Sequence, residues 1–177
     1  LEHTNIATNE RGAIVVNDTC ESSVPGVYAV GDVNGGPQFT YISLDDFRIV
    51  FGALTGNGQY TLKDRKNIPY TTFLTPPLSR VGLTEEDAIN QGYTVKTKEM
   101  LVATMPRAHV NDYLKGAFKI VVDADNDLIL GATLYSQGAE ELINLIKMAM
   151  DNNIPYTYFK NQIFTHPTMA ENLNDLC

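Results

Sequence analysis

Cysteine is scarce in this 177-residue chain, which has only Cys20 and Cys177. A disulfide framework needs more, and no CxxC pair for redox chemistry or zinc is present. Two free, unrelated thiols are expected, which suits a reducing cytoplasm. Basic charge is also short: 13 Lys and Arg stand against 21 Asp and Glu, a formal net charge of -8. The densest basic stretch, Lys63-Asp64-Arg65-Lys66, is brief and carries its own acid. Phosphate-backbone binding needs a basic face, so nucleic acid is not an expected partner. An anionic membrane surface is disfavoured for the same reason. No apolar run reaches the length that spans a bilayer. The first residues, Leu1-Glu2-His3-Thr4-Asn5, have neither the basic start nor the apolar stretch of a secretory signal. Metal-ligand spacing is missing throughout, since His3 stands at the start and His109 has no ligand pattern around it. The chain begins without Met, which fits a fragment better than a complete gene product.

What is present suffices for a core. The chain is 44% hydrophobic and 19% charged, an ordinary globular balance. Ala13-Ile14-Val15-Val16 is a short β-branched run after the turn residues Glu10-Arg11-Gly12. Val27-Tyr28-Ala29-Val30 follows the turn Val24-Pro25-Gly26 and is apolar without alternation, which predicts a strand buried on both faces. A helix is predicted from near Thr40, with Ile42, Phe47, Ile49, Val50 and Leu54 on its buried face and Gly56-Asn57-Gly58 as its stop. Residues 59–68 are polar without strong periodicity, and the domain boundary is placed there, giving domains 1–66 and 67–177.

The second domain reads as α+β. Tyr70 to Leu74 is a candidate strand ended by Thr75-Pro76-Pro77. Thr84-Glu85-Glu86-Asp87 has the form of an N-cap and first-turn acids, and the helix it opens closes at Gly92. Tyr93 to Val102 alternates weakly, as a strand does. Two apolar runs, from Ala117 to Val122 and from Leu128 to Leu134, flank Asp123-Ala124-Asp125-Asn126-Asp127 as a hairpin. Ala139 to Met150 carries Leu142, Ile143, Ile146, Ala149 and Met150 at helical spacing, broadened by Leu145 and Met148. This is a core helix, or one shared between the core and a partner subunit.

Two motifs carry chemistry. Val27-Tyr28-Ala29-Val30-Gly31-Asp32 ends an apolar run in Gly-Asp. The plain reading is a strand-to-loop junction. The functional one is a ligand crevice, where Gly lets backbone approach and the carboxylate accepts from a polyol hydroxyl. A helix starting near Thr40 would aim free N–H groups at negative charge there. The second motif is His166-Pro167-Thr168-Met169-Ala170-Glu171. A residue five positions along is not on the same helical face, so spacing alone does not pair His166 with Glu171. A turn at His-Pro would still fold the carboxylate onto the imidazole and make a general acid–base.

Together these segments resemble the flavoprotein disulfide reductases, the family of glutathione reductase, dihydrolipoamide dehydrogenase and mercuric reductase. The resemblance covers almost the whole chain. It rests on Gly12-Ala13-Ile14-Val15-Val16, Val24 to Asp32, Val81-Gly82-Leu83-Thr84-Glu85, and His166-Pro167-Thr168 with Glu171, in family order. It implies an α+β interface domain with a mainly antiparallel sheet and flanking helices, preceded by a remnant of an α/β FAD-binding domain. It implies a parent enzyme using FAD and NAD(P)H on a small oxidised substrate, and a homodimer formed through residues 67–177. Gly31 and Asp32 would then lie at the ribityl–phosphate region of FAD, and Phe39 and Thr40 near the flavin pyrimidine edge. His166 would be the acid–base serving a thiol of the other subunit, with Glu171 orienting it. The chain lacks the family's CxxxxC pair and GxGxxG fingerprints, so by itself it is expected to bind no flavin and to be inactive. The polar helix Tyr41-Ile42-Ser43-Leu44-Asp45-Asp46-Phe47-Arg48 and the segments around His166 and Asn172 resemble a bacterial subgroup linked to reactive-chlorine stress.

Overall fold

The computed structural model describes residues 1 and 3–177 and divides into two compact units, Leu1–Lys66 and Asn67–Cys177. In the first, helix α1 runs Thr40–Thr55 and ends on Gly56, whose φ of 72° closes it in the left-handed conformation. The rest is largely turns held by isolated antiparallel bridges, Thr8 to Ile14, Val16 to Ser22 and Glu21 to Tyr28. Two expectations are corrected here. Val27–Val30 is not a strand buried on both faces: it joins only the single bridge at Tyr28, and Val27 and Val30 are exposed. A parallel strand is covered on both faces only when neighbours flank it, and among the described residues this run has only the antiparallel bridge from Glu21. The buried face of α1 also differs, because Phe47 and Leu54 are exposed while Asp46 is fully buried between Ile42 and Ile49. A carboxylate there is tolerated because it is paired and hydrogen-bonded.

The second unit is α+β. Its strands are β1 Tyr70–Thr72, β2 Leu78–Gly82, β3 Val95–Leu101, β4 Ala117–Asp123 and β5 Ile129–Tyr135. They form one fully antiparallel sheet in the order β1-β2-β5-β4-β3. The expected hairpin is β4–β5, with Phe118 opposite Leu134 and Ile120 opposite Ala132. β1 is shorter than predicted, since it stops at Thr72 and leaves Phe73 80% exposed. The helices are α2 Glu85–Asn90, α3 Pro106–Val110, α4 Ala139–Asp151, α5 Tyr156–Asn161 and α6 Leu173–Leu176. Thr84 caps α2 in a reciprocal capping box with Asp87, as the Thr-Glu-Glu-Asp spacing predicts.

Helix α4 lays Leu142, Ile143, Ile146, Ala149 and Met150 on the core that Val81, Phe118, Ile120, Ala132 and Leu134 build from the sheet. Burying each large aliphatic side chain stabilises the unit by about 1.5–3 kcal/mol. Leu173, Leu176 and Cys177 enter the same core, so the segment after His166 is tied to it at its far end. At the edge strand β3, Lys96 and Lys98 pair with Val122 and Ile120. Lysines at such a position protect an edge from pairing with other strands. No helix among the described residues is long and apolar enough to cross a membrane.

Candidate functional site

The site candidates fall in different units and are built separately. In the first unit, Gly31 opens the 3-10 turn Gly31–Asn34 with φ 71° and is buried. The left-handed conformation favours glycine at Gly31, and a Cβ there would displace the Ser43 hydroxyl. Its N–H donates to Asp46 Oδ2 at 2.7 Å, and the Asn34 side-chain amide donates to the same oxygen at 2.9 Å. Asp46 Oδ1 pairs with Arg65 Nη2, and Arg65 Nε donates to Asp45 Oδ2 at 2.7 Å. Asp45 also accepts from the Tyr60 hydroxyl at 3.3 Å. The two acids of α1 therefore hold the Gly-Asp loop on one side and the polar segment after the helix on the other. Asp32 itself is exposed on this turn. Phe39 precedes α1 and stacks on Tyr41 with ring centroids 5.1 Å apart, and Thr40, the first helical residue, is exposed.

The sequence shows Asp45 and Asp46 as part of a polar helix and Arg65 as part of a short basic stretch, and assigns none of them to a site. Their signal was the unexpected polarity of α1, two adjacent acids on a helix whose core face should have been apolar.

In the second unit the structure brings His166 and Glu171 together. His166 Nδ1 lies 2.8 Å from Glu171 Oε2. The imidazole side chain is 69% exposed, while that of Glu171 is 18% exposed. The pairing is not helical. The cis His166–Pro167 peptide and Thr168 lead into the 3-10 turn Ala170–Asn172, and Glu171 reaches back across that bend. A carboxylate oxygen accepts, so the contact fits the tautomer with its proton on Nδ1 and its lone pair on Nε2. In that tautomer Nε2 is the ring's acceptor.

Around the pair, the buried Asn172 amide donates to the carbonyls of Met169 at 3.0 Å and Thr168 at 3.2 Å. The Asn174 amide donates to the carbonyls of Phe159 at 2.6 Å and Gln162 at 2.9 Å. Asn174 closes residues 162–174 into a strap, Asn172 braces the turn within it, and the strap exposes His166 and Ile163, the latter 95% exposed. Among the described residues no group of three or more His, Cys, Asp or Glu is placed to hold a metal ion. Cys20 and Cys177 are both free and buried. Burial pushes the Cys20 thiol up to about 11 and the Cys177 thiol up to about 12. Neither is a ready nucleophile.

Residues 68–177 match the family model described as pyridine nucleotide-disulphide oxidoreductase, dimerisation domain. Residues 1–46 match the model described as pyridine nucleotide-disulphide oxidoreductase. The chain is 50% identical over 175 residues to the probable pyridine nucleotide-disulfide oxidoreductase RclA of Escherichia coli strain K12, covering 99% of this chain and 40% of that protein. It is 32% identical over 173 residues to a mercuric reductase of Staphylococcus aureus, covering 98% of this chain and 31% of that one. The solved HOCl-induced flavoprotein disulfide reductase RclA from Escherichia coli superposes with a TM-score of 0.95 at 49% identity, over 99% of this chain and 40% of that one. LpdA of Mycobacterium tuberculosis, at 20% identity and a TM-score of 0.88 over 99% of this chain and 38% of its own, shares the fold. The chain thus spans about 40% of the length of RclA. With its dimerisation-domain match over most of its length, the chain belongs to the pyridine nucleotide-disulphide oxidoreductase family.

Proposed function

We propose that this chain is the C-terminal part of an FAD-dependent NAD(P)H:disulfide oxidoreductase, and that it supplies the His166–Glu171 acid–base pair to the partner subunit of a homodimer. The observation that carries this reading is the 2.8 Å bond between Nδ1 and Oε2 on a strap that exposes the imidazole. The carboxylate behind the ring orients it, and an imidazolium beside a thiol favours thiolate, the nucleophilic form. His166 then takes the proton of a partner thiol as that thiol attacks, and returns it to the leaving sulfur. Glu171 holds the ring's orientation.

The first unit fits the polyol and phosphate side of FAD. Gly31 turns the backbone in the left-handed conformation, and Asp32 stands exposed on that turn to accept from hydroxyl groups. Phe39 and Thr40 at the start of α1 fit the pyrimidine edge. Bound FAD, reduced by NAD(P)H, would supply the hydride and electron chemistry. The division into residues 1–66 as FAD-domain remnant and 67–177 as dimerisation domain follows from the same reading. A small oxidised substrate, a cytoplasmic setting and a role in reactive-chlorine stress are part of it, the last supported by the HOCl-induced relative.

The test uses the full-length parent. His166→Ala should keep the flavin absorption band and lose about 10²–10⁴-fold in disulfide turnover, the usual worth of a positioned acid–base. Unchanged turnover removes His166 from the mechanism. A second reading concerns this chain by itself: a dimerisation module that binds no flavin. It is favoured by the dimerisation-domain match over residues 68–177. The isolated chain should be colourless and sediment as a dimer, and a yellow protein or a monomer at high concentration would rule it out.

A further inference from the structure

Glu171 uses both oxygens, and only one of them faces His166. Oε2 meets the imidazole Nδ1, while Oε1 accepts the backbone N–H of Thr168 at 3.2 Å. In return the N–H of Glu171 donates to Thr168 Oγ1 at 3.2 Å. The two bonds are reciprocal in the manner of a capping box, across Thr168-Met169-Ala170-Glu171. The same hydroxyl donates at 2.8 Å to the carbonyl of Thr165, the residue before the histidine. One side-chain oxygen therefore joins the backbone on the near side of His166 to the backbone of Glu171.

We propose that Thr168 is the positioning residue of the pair: its hydroxyl and N–H together hold Glu171 so that Oε2 faces Nδ1, which fixes the imidazole tautomer with Nε2 outward. This rests on the acid–base reading above and adds the group that aims the base. The physical need is clear from exposure. The ring stands 69% in solvent, with little packing to hold it, so its orientation depends on the carboxylate. A free glutamate side chain samples several rotamers, and these reciprocal bonds remove that freedom from the one carboxylate that matters. Thr168 does not touch a substrate; it acts through Glu171.

Nitrogen-15 NMR of the imidazoles reports the tautomer directly. In this chain at neutral pH the Nδ1–H form of His166 should dominate. Thr168→Val keeps the shape but loses the hydroxyl and with it the bonds to the Thr165 carbonyl and from the Glu171 N–H, and should lower the ratio of Nδ1–H to Nε2–H forms at least about fivefold. Thr168→Ser should restore it, while Glu171→Gln marks the value with the carboxylate gone. If Thr168→Val does not fold, Thr168→Ala carries the same test without added bulk. A parental tautomer ratio in a folded Thr168→Val or Thr168→Ala protein overturns the proposal, and so does a lowered ratio in Thr168→Ser. The acid–base reading fails elsewhere, in the turnover of full-length His166→Ala, so the two outcomes are separable.

Discussion

Asp46 accepts the backbone N–H of Gly31 at 2.7 Å, fifteen residues away, from a fully buried position on α1. The loop proposed to face the cofactor is thus hung from the helix behind it. The same carboxylate pairs with Arg65, whose side chain is nearly buried too.

Asp46→Ala leaves the Arg65 guanidinium with one carboxylate instead of two and the Gly31 N–H without its acceptor. Breaking a buried pair from one side costs about 3–5 kcal/mol. Hydrogen exchange at the Gly31 amide should accelerate by roughly two orders of magnitude or more. Exchange within threefold of the parent chain would show that the loop is held by something else.

Gly82 ends β2 with φ 70°, and a Cβ there would collide with the Leu130 carbonyl and the Met150 side chain. Gly82→Ala combines left-handed strain with overpacking of a backbone crossing, and should destabilise the second unit by about 3 kcal/mol. Urea unfolding followed by far-UV circular dichroism measures it. A loss below about 1 kcal/mol would mean the strand end relaxes freely.

Thr84→Ala removes the N-cap of α2 and should cost about 1 kcal/mol at neutral pH. The effect is pH-dependent with a defined sign. Hydrogen bonds from the Thr84 hydroxyl and N–H hold the Asp87 carboxyl below its ordinary 3.8. A carboxyl with a lowered folded pKa stabilises above 3.8 and loses that contribution as pH falls through the folded value. The difference between parent and Thr84→Ala should therefore be full at pH 7 and shrink below about pH 3.8. An equal difference at pH 7 and pH 2.5 would contradict the capping-box origin.

The two thiols make an alkaline prediction. Burial raises Cys20 to about 11 and Cys177 to about 12 from an ordinary 9.0, with Asp46 raising Cys20 further and Lys98 and Lys160 opposing the rise at Cys177. A raised folded value stabilises below 9.0 and is lost as pH climbs through it, so stability should fall from about pH 9 upward. At pH 8 both thiols should alkylate far more slowly than a free peptide cysteine, and mass spectrometry after iodoacetamide treatment reads this. Rapid labelling in the folded chain would show that one of them is accessible as thiolate.

Local patterns in the sequence determined much of this protein. The 3.6-residue spacing of Leu142, Ile143, Ile146 and Ala149, the turn acids between β4 and β5, and the Thr84 capping box each act over a few residues, so their outcome is set where they stand. The shared order of the Gly-Asp and His-Pro-Thr motifs placed the family. Tertiary structure decided what depends on distant neighbours. Val27–Val30 is apolar enough for a buried strand, yet burial needs flanking strands and it has only one bridge. Asp46 is charged enough for a surface, yet Arg65 and two donors from the Gly31–Asn34 turn make it a core residue. At the proposed site, spacing placed Glu171 off any helical face shared with His166. Only the folded strap, with Asn174 closing it, Asn172 bracing its turn and Thr168 turning the carboxylate, brings Oε2 to within 2.8 Å of Nδ1. That pairing is set by backbone path, which residue spacing does not encode.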